Sequence, residues 1–453
     1  MSPLLWIRSQ SPGVNTVFAC FLSAAGMLAF THTVSAATLC VNHSGNNGCY
    51  SSISAAVSAA SAGDVINVKK GTYKEQVTIT KSLSLIANDS SETTIDAKGL
   101  ANGIFINGMG AAPQIGVSNV LVKGFTVRNA NFEGILIANA SDVTILENEV
   151  TQNNRSLDIA SAACPGAPAF ETNEGEDCGE GIHLMGAYNA TIVRNEVAWN
   201  SGGILISDET GSSRDNLITE NRVHDNQYDC GITLASHGPA VSVIPGAMLP
   251  YGVVRNTVSN NSSYRNGTQV PGAGAGIGIF APFPGTTAAA NVVIGNDVRD
   301  NGLPGITMHN HAYAPAPAPP VNLDDNMIVG NFLSGNAADT ADAATGGTTG
   351  INVYSVAPIH GTLIVQNRFE DEQFDIVFKA PTGELSAHLN NFSQGIGVDN
   401  MGSGQVNATE NWWNCRSGPG SGNCAGVSGP NVVTVPWASS PFGSSHDDEN
   451  DHH

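Results

Sequence analysis

Positive charge is what this 453-residue chain has least of: 18 Lys and Arg stand against 39 Asp and Glu, a formal net charge of −21. Binding a phosphate backbone needs clustered cations, so nucleic acid is excluded as a partner. Charged residues of either sign make up only 13% and aromatics 6%, while 41% of residues are hydrophobic. That is too apolar for a disordered chain and too polar for a membrane bundle. No apolar run other than Val17 to Phe30 comes near the length of a membrane span. Lys and Glu are too few for many exposed helices, and 51 Gly with abundant Asn, Ser and Thr mark many turns. The composition predicts a long all-β chain.

Arg8 precedes the apolar run, and Val34-Ser35-Ala36-Ala37 offers small residues to a signal peptidase. Residues 1–37 therefore read as an export signal, cleaved after Ala36 or Ala37, with no transmembrane segment left behind. The expected location is secreted, periplasmic or cell-surface. Six cysteines fall into three close pairs, Cys40 with Cys49, Cys164 with Cys178, and Cys415 with Cys424, which an oxidising compartment keeps as disulfides. Cys230 is left over and reads as a buried small hydrophobe.

One phrase recurs: apolar residues, a variable one, Asn, a variable one, then an apolar residue, as in Ile145 to Val150 and Ile192 to Val197. Further copies centre on Asn221, Asn256, Asn296, Asn331, Asn367, Asn390 and Asn411, at intervals of 21 to 47 residues. A second phrase pairs Gly with Ile at Gly134, Gly181, Gly203, Gly231, Gly276, Gly305 and Gly350. A short unit with variable insertions is a solenoid signature. Period-two alternation makes its segments strands, so each unit is one three-stranded coil of a parallel β-helix. The repeated Asn has a structural role: it tolerates left-handed φ at a turn, and its amide can bond the same amide one coil away.

A solenoid also needs caps. Ser51 to Ala62 forms one apolar helical face, with Ser51 and Gly63 as its caps, over a first coil that starts at Val65-Ile66-Asn67-Val68. At the other end Trp412, Trp413 and Trp437 surround the Cys415 to Cys424 loop. The expected organisation is a signal at 1–37, cap and first coil at 38–95, coils at 96–411, a disulfide-bearing cap at 412–442, and a disordered acidic and His-bearing tail at 443–453. The stretches Ser52 to Val57, Ala62-Gly63-Asp64, Lys70 to Tyr73, Val77 to Ile79 and Ser82 to Ile86 resemble the opening of right-handed parallel β-helix proteins of the pectin-lyase-like superfamily, NosD-like branch. Glu410 to Trp413, Ser417-Gly418-Pro419 and Pro436-Trp437 are similar to the ending of the same group. That resemblance implies the fold, and it leaves lyases, hydrolases, esterases, epimerases and non-enzymes all open.

If each Gly-Ile strand turns its Ile inward, stacking places Leu136, His183, Leu205, Thr233, Gly278, Thr307, Asn352 and Val377 in one outward column. Ala138, Met185, Ser207, Ala235, Phe280, His309, Tyr354 and Lys379 form the next. Insertions at 157–180, 236–251, 281–290, 310–325 and 337–349 flank this sheet and would wall a groove. Phe280, Phe283, Tyr313 and Tyr354 can stack on sugar rings. His183, His237, His309 and His311 can act as acid, base or ligand, although each read singly is a solvated surface histidine. Lys379 is the one cation in the outward columns. His309, His311 and Asp324 are candidate metal ligands, and so are Glu174, Glu176 and Asp177 in an acidic loop suited to calcium. Asp208 and Glu209 are adjacent, so in extended chain they point apart and make a poor carboxylate pair.

The active-site phrases of polygalacturonases, pectin methylesterases and alginate epimerases are absent, and Ser236-His237-Gly238 only echoes one of them. The leading expectation is an exported protein that binds extracellular polysaccharide along the groove, by Phe280, Phe283, Tyr313, Tyr354, His183 and His309. Processing by lyase, epimerase or hydrolase chemistry would extend this, with His183, His309 and Lys379 as candidate catalytic groups. A non-enzymatic scaffold and a NosD-like metal-handling protein are the alternatives.

Overall fold

Three parallel sheets of fourteen, twelve and ten strands run the length of the described chain, joined by a minor three-stranded sheet. The computed structural model describes residues 36–443 apart from 111–115, 162, 168–177, 239–250, 271, 311–319, 341–344, 382 and 421. The export signal, except for its last two residues, and the tail from residue 444 lie outside the described residues. A complete coil contributes one short strand to each large sheet, the end coils lack some of them, and every named strand pair is parallel. The Ile and Val at alternate positions, such as Ile135, Ile137, Ile182, Leu184, Ile204 and Ile206, point into one continuous core. The architecture is the predicted parallel β-helix.

The first coil carries one helix, Ile53–Ala59, shorter than the predicted span. Its N-cap is Ser52, not Ser51: the Ser52 hydroxyl accepts from Ala55 N at 3.2 Å. Glu75 accepts from the N–H groups of Ile53 and Ser54, each at 2.8 Å, and Lys81 Nζ donates to Val57 O and Ala60 O at the other end. Opposite charges thus meet the two ends of the helix dipole. Ile53, Ala56 and Val57 bury its inner face over the first coil.

The repeated asparagines form three ladders, all buried. One runs Asn148, Asn195, Asn221, Asn261, Asn296, Asn331, Asn367, Asn390 and Asn411, and each Oδ1 takes the backbone N–H and the amide of the preceding member. Asn256, expected in this series, instead belongs to a separate ladder of Asn216, Asn256, Asn291 and Asn326. The left-handed residue is also not the asparagine. It is the one before it: Glu147, Arg194, Glu220 and Asn260 have φ of 54° to 56°. The preceding residue turns the chain, which frees the Asn side chain to point inward and satisfy backbone groups of two coils.

All three expected disulfides are present, and Cys230 is a buried free cysteine as expected. Burial pushes its thiol well above the usual range, so it is no nucleophile. Trp413 is fully buried at the last coils, while Trp437 keeps 38% of its surface exposed.

Candidate functional site

The twelve-stranded sheet carries the two outward columns in the expected register. Leu136 pairs with His183, His183 with Leu205, Leu205 with Thr233, and so through Gly278, Thr307 and Asn352 to Val377. The neighbouring column runs Ala138, Met185, Ser207, Ala235, Phe280, His309, Tyr354, Lys379. Leu136, Ala138 and Met185 pack with Phe105 and Met109 in a small cluster separate from the main core, which marks the outer face.

Three histidines on this face are not solvated. His183, His237 and His309 are exposed by only 1%, 2% and 4%, against the surface reading of each taken alone. Burial of an imidazole requires partners, and His183 and His237 find theirs in a five-residue chain of hydrogen bonds. His183 Nδ1 lies 2.8 Å from Glu133 Oε1, and its Nε2 lies 2.7 Å from Ser207 Oγ. The Ser207 hydroxyl also donates to Glu209 Oε2, and Glu209 Oε1 lies 2.6 Å from His237 Nδ1. Glu133 Oε2 accepts the backbone N–H of Glu180 at 2.7 Å.

Burial opposes ionisation of Glu209, but the charge and hydrogen bond of His237, the charge of His183 and the Ser207 hydroxyl outweigh it and bring the carboxyl to about 2. Asp208 moves the other way: burial raises its pKa, against hydrogen bonds from Gly238 N and Ser236. A turn at Glu209 and Thr210 supplies the bend that adjacent carboxylates in an extended strand would lack. Asp208 and Glu209 then both engage His237, one through its backbone N–H at 2.7 Å and the other through its ring. Asp208 also accepts from the N–H groups of Gly238 and Gly252, which makes it the anchor of this turn.

Further along the column, His309 meets Phe280 and Tyr354 edge to face, at ring separations of 5.7 and 5.9 Å. Its Nε2 lies 3.1 Å from Asn352 Nδ2 and 3.6 Å from Asp339 Oδ2. Lys379 Nζ sits 5.4 Å from the centre of the Tyr354 ring, a cation–π contact. Phe280, Tyr354 and Lys379 are half-buried, so each offers an open flank. Phe283 is more exposed, at 38%, on the loop after this strand, where Thr286 holds its backbone.

His311, Tyr313, Glu174, Glu176 and Asp177 lie outside the described residues. Asp324 is described: its Oδ1 accepts from His360 N at 2.8 Å. Among the described residues, one group of three has ligand atoms within 4.8 Å of one another, Glu133, Glu180 and His183. Glu133 Oε1 and His183 Nδ1 are hydrogen-bonded to each other at 2.8 Å, and Glu133 Oε2 accepts from backbone.

Sequence reasoning did not single out Glu133 and Ser207, which the hydrogen-bonded chain includes. A signal existed for the first: Glu-Gly-Ile occurs at Glu133 and again at Glu180, each opening a strand of the same sheet.

The family profile described as a right handed beta helix region matches residues 102–244. No curated protein matches the chain. Among solved structures, the Dettilon tailspike protein (gp208) is similar at 14% identity and a TM-score of 0.50, covering 82% of this chain and 62% of the tailspike. DFA-IIIase from Arthrobacter chlorophenolicus A6, without its lid and in complex with GF2, is similar at 13% identity and a TM-score of 0.50, covering 84% of this chain and 94% of the enzyme. ORF18 of Geobacillus virus E2 is similar at 12% identity and a TM-score of 0.48, covering 78% and 57%. The chain thus spans less than two thirds of the length of ORF18 and of the tailspike. Its class by fold is the right-handed parallel β-helix.

Proposed function

We propose that the protein is exported and binds extracellular polysaccharide along the outer face of its twelve-stranded sheet, with acid–base groups at one end of the binding row. The observation that carries this reading is the shared column: Ser207, within the hydrogen-bonded array, stands in register with Phe280, His309, Tyr354 and Lys379. Successive coils repeat every ~4.8 Å along such a column. Its two half-buried rings are suited to stack on the C–H faces of a sugar chain laid along the coils. Lys379 suits an acidic substituent, and the carboxylates and imidazoles of the array are suited to proton transfer.

Export is supported by the three disulfides. Among the described residues no helix is long and apolar enough to cross a membrane. The test is electrophoresis of the folded protein through gels containing neutral or acidic polysaccharides, with and without calcium. Retardation by at least one glycan is expected. Uniform mobility in every gel overturns the reading in favour of a non-enzymatic scaffold.

A further inference from the structure

We propose that Ser207 is a nucleophile activated by the Glu133–His183 pair, and that the protein removes carboxylic ester groups from the polysaccharide it binds. The polymer in this statement rests on the proposed function, whereas the chemistry rests on the array alone.

A serine hydroxyl is a poor nucleophile until a base takes its proton, and an imidazole is a useful base only when its ring is held in one orientation. Both conditions are met here. Glu133 Oε1 fixes Nδ1 of His183 at 2.8 Å, and the opposite ring nitrogen faces Ser207 Oγ at 2.7 Å. The three groups come from successive coils. Glu133 precedes the strand Ile135–Ala138, His183 is inside Glu180–Met185, and Ser207 ends Gly202–Ser207. Parallel pairing of these strands holds their spacing rigid. Exposure of Glu133, His183 and Ser207 is 1% or less, so the bonds are made in a low-dielectric interior.

The hydroxyl has one proton and two acceptors. It rests on Glu209 Oε2, and Glu209 is itself pinned by His237. For reaction it turns to His183 Nε2. Ser207 Oγ then bonds to the acyl carbon of the ester, and the hydroxyl proton passes to His183 Nε2. The C–O bond to the sugar breaks, and the sugar oxygen leaves with that proton. Water next attacks the acyl-serine, giving its proton to His183 Nε2. Ser207 recovers the proton as the free carboxylic acid departs. An acyl carbonyl is the electrophile that such a pair attacks, and a polymer rich in hydroxyl groups carries it as an O-acyl substituent. Ser207 has no exposed surface in this structure, so acylation requires its cover to move, and the test begins with a small probe.

Folded protein is incubated with diisopropyl phosphorofluoridate, and the modified peptide is identified by mass spectrometry. One adduct on Ser207 is expected. Ser207→Ala should take no label, and His183→Gln and Glu133→Gln should each be labelled slower by roughly a hundredfold. Release of acetate from O-acetylated polysaccharides should disappear in Ser207→Ala, with circular dichroism showing the β-helix retained. An unlabelled wild-type chain, or a label on another residue, overturns the proposal without needing any variant to fold. Labelling requires no glycan, so retention of a glycan by an unlabelled chain overturns the esterase alone. A labelled chain that no polysaccharide retards keeps the nucleophile and overturns the polymer as its substrate.

Discussion

Asn336 donates both its backbone N–H and its side-chain amide to one oxygen of Glu372, at 3.0 and 2.9 Å. A carboxyl therefore ends a ladder that runs Asn153, Asn200, Asn226, Asn266, Asn301 and Asn336. Its second oxygen is buried with no hydrogen-bond partner among the described residues. Burial, with Asp371 and Asp300 nearby, pushes this carboxyl from 4.5 to about 7 against the two Asn336 bonds. Asp375 beside it is also raised, by its own burial.

A carboxyl whose pKa is higher in the folded state contributes stability that is complete below the unfolded value. That contribution is lost as pH rises through the folded one. The Glu372 contribution should therefore fall by about 3 kcal/mol between pH 4.5 and about 7 and level off above. Glu372→Gln keeps an oxygen for both Asn336 donors and carries no charge. Melting temperatures across pH should show the variant more stable than wild type at pH 8 and close to it at pH 4.5. An unchanged pH slope in the variant contradicts the assignment.

Mid-ladder asparagines should be worth more than surface turn residues. Asn296 accepts from Asn261 N and Nδ2 and donates to Asn331 Oδ1 and Val258 O. Asn296→Ala strands these buried groups, at a cost of about 3 kcal/mol in denaturant unfolding. Asn296→Asp should cost more, because it adds a buried charge and loses the amide donors. A change below about 1 kcal/mol in both would show that the ladder is incidental.

The order of these elements was largely legible in the chain. Gly-Ile phrases gave the register of both outward columns because a solenoid repeats one environment, so one coil's pattern constrains the next. Asn256 was assigned to the wrong ladder because two ladders share the same local phrase, apolar–variable–Asn–variable–apolar, and only the third dimension separates them. The burial of His183, His237 and His309 was hidden for a different reason. Taken singly, His183 and His309 are polar residues in outward positions, and His237 is a polar residue just after the strand Ile232–Ala235. Their partners Glu133, Ser207, Glu209, Asn352 and Asp339 come from other coils or from a turn.

Gly278 sets the position of Phe280. A Cβ at Gly278 would lie 2.2 Å from Cε2 and 2.6 Å from Cζ of the Phe280 ring, which folds back over the glycine. Gly278→Ala should push the ring aside and weaken glycan retention about tenfold or less, with little loss of stability, since the clash falls on a side-chain tip. Retention equal to wild type would show that the ring's position does not matter to binding.

Lys379 reports on the charge of the ligand. If the bound polymer is acidic, Lys379→Gln should weaken retention, and raising salt should narrow the difference from wild type, because exposed charges are screened. For a neutral polymer neither change should appear. Equal retention of an acidic polymer by both proteins at low salt would remove Lys379 from the site.

The central claim is tested most directly by affinity electrophoresis of wild type beside the Phe280→Ala, Tyr354→Ala double variant, both shown to be folded. Wild type should be retarded by at least one polysaccharide, and the variant should lose roughly ten- to a hundredfold of that affinity as two ring faces are removed. Retardation of both proteins to the same extent, or of neither in any gel, would contradict the account.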